Sequence, residues 1–377
     1  MDLSLSKEQE EIRRAVRDVL SEKSGTDVVR AMEQDEIGYP PELWTALAEV
    51  GLPGLLIDER FGGYGLGWEE VALAFEEIGR AIAPSPIFET AIIATGLLDG
   101  GREELKESWL PRIASGDARF TVAWREPNAG TSAAGIHVVA EEQAGTVTLN
   151  GTKLGVSYAN SVDRIVVLAR SGAGDEGIDI VLVDPRADGV DLVAVESLGS
   201  TVQFNLHLND VKAPVSERVN APGEGWALWS ETLLRARIAL GAWSVGVADR
   251  ALQLATDYAR EREQFGRPIG GFQGVSHPLA NVAKDVTSNR LLVQEAAWAV
   301  DSGKPYRFFA AMVGERAPET ARVATKVAHQ VFGGIGFTNA IDIQLYSRRA
   351  KERQLLWDDH KGLTAIIADL ALAGTEA

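Results

Sequence analysis

The chain has 377 residues, 45% of them hydrophobic and 24% charged, an ordinary globular composition that argues against disorder and allows two or three packed layers or domains. Its net charge of −17 repels phosphate backbones and anionic membranes, so nucleic-acid and membrane binding are disfavoured. The absence of cysteine excludes disulfides, thiolate nucleophiles and cysteine-held metals, and suits a reducing compartment.

Residues 1–117 read as an N-terminal α-helical domain. The opening MDLSLSKEQEEIRRAVRDVL has no apolar signal core, and no apolar run reaches membrane-spanning length, so a soluble cytoplasmic protein is expected. Ser6 and Gln9 form a capping-box pair ahead of a helix with Ile12, Val16 and Val19 on one face. Pro41 suits the first turn of a helix carrying Leu43, Leu47 and Val50. A glycine-broken connection follows, then a helix with Val71, Phe75 and Ile78 on one face and Gly79 near its end.

Residues 118–221 change period and read as a middle β domain. Short β-branched runs such as DRIVVLAR and IDIVLVD alternate with Gly, Asn and Asp, the pattern of an antiparallel barrel or sandwich. The Asn150–Gly151 pair in LNGTK is a hairpin signal. Residues 222–377 return to helices, long and apolar-striped, as in an up-down four-helix bundle. The expected fold class is α+β and multidomain. Five scattered histidines, His137, His207, His277, His329 and His360, show no metal-ligand spacing. The tryptophans are taken as core anchors.

Several motifs then act together. In AREREQFGRPIGGFQGVSHPLANVA stand Arg262, Gln264, Phe265, Gly266, Pro268, Ile269, Phe272, Gln273, Leu279 and Ala280. Further on come HQVFGGIGFTNAIDIQLYSRRAK, REPNAGTSAAGI and LNGTKLGVSYANSVDRIVVLARS. Over nearly the whole chain these resemble the acyl-CoA dehydrogenase family. The resemblance implies the fold of that family, FAD as cofactor, an acyl-CoA substrate and electron-transfer flavoprotein as electron acceptor. It implies α,β-dehydrogenation, in which a carboxylate removes the α-proton and the β-hydrogen leaves as hydride to the flavin. It implies that Arg262, Gln264, Phe265 and Gln273 reach the FAD of a neighbouring subunit, with Gln330, Gly333 and Gly334 at its adenosine side. A guanidinium neutralises pyrophosphate, and a glycine pair lets backbone approach a ligand. Arg237 corresponds to an arginine near the CoA moiety; an intrahelical ion pair with Glu231 or another acid is the alternative.

The catalytic base departs from the family. The two positions that usually hold the glutamate are Trp357 and Ala236 here. Asp358 is the nearest acid, one residue beyond Trp357, and one residue turns a helical side chain by about 100°. A polar helix end after a packed Trp357 is the simpler reading of Asp358, Asp359 and His360. Positions that face the flavin in the family also differ: Trp124 and Arg125 precede the Glu-Pro pair, Gly155 replaces the barrel tryptophan, and Ser157 stands for threonine.

Contacts for a neighbour's cofactor are thus kept, while this chain's own ring pocket is altered. The resemblance extends to the glutamate-lacking subunit of bacterial heteromeric α2β2 acyl-CoA dehydrogenases, including those for steroid-type side chains. It implies a homologous glutamate-bearing partner subunit. The alternatives are a self-sufficient homomer using Asp358 and a flavin monooxygenase of the same fold.

Overall fold

The computed structural model describes residues 3–357 and 359–372. The first helices are α1 (Lys7–Lys23), α2 (Thr26–Ala31), α3 (Pro41–Glu49), α4 (Trp68–Ala81), α5 (Thr95–Asp99) and α6 (Glu103–Ala114). The Ser6 hydroxyl caps α1 by accepting from Gln9 N at 3.1 Å, while Ser6 N donates to Gln9 Oε1 at 3.1 Å. Pro41 takes the first position of α3, where a missing N–H costs nothing. Val71, Phe75 and Ile78 are buried on α4. A π-helical turn, Glu89–Ala94, leads into α5.

The middle domain is a seven-stranded sheet. Its strands are β1 (Phe120–Ala123), β2 (Val139–Gln143), β3 (Thr146–Ser157), β4 (Arg164–Arg170), β5 (Ile178–Val183), β6 (Val190–Val195) and β7 (Gln203–Pro214). The order is β1-β4-β2-β3-β7-β6, with β5 also pairing β4. Most pairs are antiparallel, but β1 runs parallel to β4 with Phe120 opposite Arg164. The sheet is therefore mixed, not purely antiparallel as the strand pattern suggests. The β2–β3 hairpin intervenes between β1 and β4, so no tight turn forces those two strands into opposite directions.

The hairpin signal at Asn150–Gly151 also proves misplaced. The β2–β3 turn is made by Ala144 and Gly145, both at positive φ (51° and 79°), as a two-residue hairpin turn requires. Gly151 instead sits inside β3 beside a register shift against β7. Asn150 there exchanges hydrogen bonds with Asp210 across to β7, at 3.0 and 2.8 Å.

The C-terminal part holds α7 (Gly225–Glu261), then a small hairpin of β8 (Glu263–Gln264) and β9 (Arg267–Pro268). The helices α8 (Gln273–Asp301), α9 (Arg307–Phe332), α10 (Ile343–Trp357) and α11 (His360–Leu372) follow. Helix α4 from the first domain packs on α7, and two glycines permit it. A Cβ at Gly79 would stand 2.0 Å from the Trp243 carbonyl oxygen, and one at Gly246 2.0 Å from that of Glu76.

Charged side chains tie α10 to the other two domains. Arg348 and Arg349 pair with Glu33. The buried Glu352 accepts from Thr201 Oγ1 at 2.6 Å and Gln203 Nε2 at 3.0 Å. No described helix is long and apolar enough to cross a membrane. Among the described residues no cluster of three His, Cys, Asp or Glu could hold a metal ion.

Candidate active site

The end of α10 delivers Trp357 to the junction of all three domains. Its ring meets Phe88 edge-on at 4.9 Å between centroids and stacks on Trp124 at 6.0 Å. Trp124 in turn lies 5.5 Å from Trp229 at the start of α7. These four rings come from the residue before the π-helical turn, the residues after β1, α7 and α10. Their shared apolar area fixes where α10 ends.

Arg125 covers the box on the sheet side. Its guanidinium lies 4.8 Å from the Trp124 ring and donates to the Leu355 carbonyl. Opposite it, Gly155 has φ 61°, and a Cβ there would meet Gln203 Oε1 at 3.3 Å and Leu356 Cδ2 at 3.4 Å. Ser157 is buried, and its carbonyl accepts from Thr121 Oγ1 at 2.5 Å. The space left between Trp124, Arg125, Gly155, Ser157, Leu356 and Trp357 is about 10 Å³, against roughly 300–1,000 Å³ for small-ligand sites.

Glu89 also faces this space. It is fully buried, and its Oε2 has no hydrogen-bond partner among the described residues. Burial pushes its pKa up, and the positive charge of Arg353 only partly offsets this. The sequence pattern hides Glu89, because an acid between Phe88 and Ala91 reads like any helix residue. Its only local sign is a charge inside a long apolar run.

The two usual glutamate positions come out as follows. Trp357 is buried in the aromatic box and Ala236 is buried on α7. Asp358 lies outside the described residues. Asp359 accepts from Thr131 Oγ1 at 2.6 Å, and His360 Nδ1 pairs with Glu315 at 2.9 Å. Arg237 stands six residues beyond Glu231, off the i,i+4 spacing, and it is Arg235 that takes that acid at 3.1 Å. Arg237 is buried and donates from Nη1 to the Trp357 carbonyl.

The second group of sequence-singled residues is exposed. Arg262 follows the last turn of α7, and its side chain pairs with no described carboxylate. Gln264 lies in the β8–β9 hairpin, and Phe265 at its tip has φ 53° and is 94% exposed. Gln273 opens α8. Gln330, Gly333 and Gly334 stand exposed at the end of α9, with Gly333 at φ 65°. The Tyr258 and Phe332 rings, 4.7 Å apart, bring the ends of α7 and α9 together. All seven residues thus lie at one end of the bundle, beside the exposed Phe337 (76%).

Three family models cover this architecture in order. The N-terminal, middle and C-terminal domains of acyl-CoA dehydrogenase match residues 6–117, 121–211 and 223–356. Acryloyl-CoA reductase (NADH) of Anaerotignum propionicum is 32% identical over 93% of this chain and 91% of its own length. The structure of butyryl-CoA dehydrogenase from Megasphaera elsdenii superposes with a TM-score of 0.90 at 28% identity, covering 99% of this chain and 100% of that one. A chain of the ChsE4-ChsE5 complex from Mycobacterium tuberculosis gives a TM-score of 0.88 at 28% identity and full coverage of both chains.

The chain belongs to the acyl-CoA dehydrogenase family. It is an FAD-dependent oxidoreductase acting on acyl-CoA. Its own ring pocket, however, does not fit a flavin. Two tryptophans, an arginine and a leucine fill the space an isoalloxazine needs, and no described carboxylate occupies either usual base position. The exposed end of the bundle does fit part of FAD. It offers an arginine pairing with no described carboxylate for pyrophosphate, three glutamine amides and a glycine turn open to a ligand's backbone approach.

Proposed function

We propose that this chain is the glutamate-lacking subunit of a heteromeric acyl-CoA dehydrogenase. In this reading it completes an FAD site on a homologous partner that carries the glutamate and the ring pocket. The single observation that carries the reading is the contrast between the two half-sites. The chain's own ring pocket is packed with its own side chains, whereas Arg262, Gln264, Phe265, Gln273, Gln330, Gly333 and Gly334 are presented outward together. A tip phenylalanine that is 94% exposed has no use on an isolated chain and favours an interface. Similarity to a chain of the two-protein ChsE4-ChsE5 complex supports a paired assembly.

In this assembly Arg262 holds negative charge at the pyrophosphate, and Gln264 and Gln273 orient polar edges of the cofactor. Arg237 belongs near the CoA-bearing end of the substrate path, where it also holds the carbonyl at the end of α10. Electron-transfer flavoprotein is the electron acceptor in this reading, and the complex works in the cytoplasm. Within acyl-CoA substrates, steroid-type side chains are favoured by the pattern running from Gly333 to Thr338 and from Arg348 to Lys351.

The experiment is FAD stoichiometry. The chain purified alone should carry little flavin and show no dehydrogenase turnover. Co-expressed with a glutamate-bearing homologue, it should co-purify with FAD and activity. A lone chain that is fully flavin-loaded and turns over acyl-CoA overturns the proposal.

A further inference from the structure

A cavity of about 370 Å³ lies between α7, α9 and α10, with Trp357 as part of its wall, a volume within the range of small-ligand sites. Arg237, Leu240 and Trp357 make a buried floor, and Arg353 stands half-buried at its side. Gly314 keeps it open: a Cβ there would lie 3.0 Å from both Arg237 Cδ and Leu363 Cδ1.

The charges around the cavity are unevenly matched. Among the described residues, each of the three carboxylates that line it already has a partner. Glu315 takes His360, Glu319 takes Arg322 and Asp359 takes Thr131. Arg353 has no hydrogen-bonded partner of this kind, although its charge acts on the buried Glu89. Its guanidinium lies 5.1 Å from the Trp243 ring and 5.4 Å from Phe88, and among the described residues it makes no hydrogen bond or ion pair. Ring faces hold a guanidinium in place but leave its in-plane N–H donors unused.

We infer that this cavity binds a small monocarboxylate with an apolar body, its carboxylate on Arg353 and its body against Trp357 and Leu240. A planar guanidinium pairs a carboxylate through two parallel hydrogen bonds. The three carboxylates nearby tolerate one added negative charge on an arginine but repel a dianion such as phosphate. The ligand is chemically the free acid of the enzyme's own substrate class. The site does not depend on which chain holds the flavin.

The test is isothermal titration of the full-length chain with hexanoate, and with inorganic phosphate at the same concentration. Hexanoate should bind at one site, and phosphate should give no binding heat. Arg353→Gln should weaken hexanoate by about tenfold or more, the scale of a lost charge-assisted hydrogen bond. Glu319→Gln, which removes a neighbouring negative charge at the surface of α9, should strengthen it a few-fold, a gain that misfolding cannot produce. The inference fails if hexanoate does not bind, if phosphate binds as well, or if neither substitution changes the affinity.

Discussion

Lys153 has no exposed surface, yet it carries an amine 2.6 Å from the equally buried Glu126. Burial lowers its pKa to about 8, against the pull of Glu126 toward the charged form. Glu126 is further satisfied by the backbone N–H groups of His137 and Val138. Removing one partner leaves the other charge buried, so Lys153→Met should destabilise the chain by about 3–5 kcal/mol. Adding Glu126→Gln should recover much of that loss, as read by urea unfolding of both variants. Glu89 behaves in the opposite sense. Its raised pKa means the folded chain keeps a proton that the unfolded chain releases. That contribution is present below the ordinary carboxylate range and is lost as pH rises through the raised value. Glu89→Gln should therefore melt higher than the parent at pH 8, with the gap closing as pH falls toward 5. A gap that stays constant across that range rules out titration of Glu89 as its source. At this scale the sequence speaks unevenly. Arg262 and Gln264 stand out because their motif is contiguous. The Trp124–Trp357 contact joins residues from distant segments, so no local pattern announces it, and the tryptophans read only as core.

Elements follow local rules where the decisive groups are local. The α1 cap was legible because Ser6 and Gln9 satisfy each other within one turn. The same holds for Pro41 at the head of α3 and the apolar face of α4. The Asn150–Gly151 signal misleads because either that pair or Ala144–Gly145 can take positive φ, and strand pairing decides between them. Asn150 is claimed by Asp210 across β3 and β7, which leaves the turn to Ala144 and Gly145. The parallel β1–β4 pair is likewise a matter of topology rather than residue pattern. Helix contacts have their own signature. Gly79 on α4 and Gly246 on α7 each face backbone of the other helix. Gly246→Ala drives a methyl group into the Glu76 carbonyl, so the helices must part. The expected loss is about 1–3 kcal/mol, as for overpacked cores generally, and a lowered melting temperature with unchanged helical content would display it. Gly266→Ala should lower stability less. Its φ of 79° strains a side chain, but nothing lies within 4 Å of an added Cβ.

For the whole molecule, the question is which of two half-sites on one chain serves a cofactor. Changing Trp357 back to an acid does not by itself make a homomeric enzyme. A carboxylate there would sit among Phe88 and Trp124 with about 10 Å³ of space before it, and an unpaired buried charge costs more than it contributes. Trp357→Glu should therefore lower stability and yield no flavin loading of the lone chain. The outward half-site makes the complementary prediction. In a co-purified complex, Arg262→Ala on this chain should weaken FAD retention by about ten- to a hundredfold, the loss of one charge-assisted contact to pyrophosphate. In the proposed assembly the partner's catalytic glutamate is untouched by that change. Activity should return when excess FAD is added, and the effect should grow with salt as the remaining electrostatic attraction is screened. Arg260→Ala is the control, because that arginine stands two residues earlier, in the last turn of α7, paired with Asp257 at 3.7 Å. Equal flavin loss from both variants would mean that general charge, not the position of Arg262 at the hairpin, retains the cofactor. Loss from Arg262→Ala alone, reversed by added FAD, would assign this end of the bundle to a partner's flavin site.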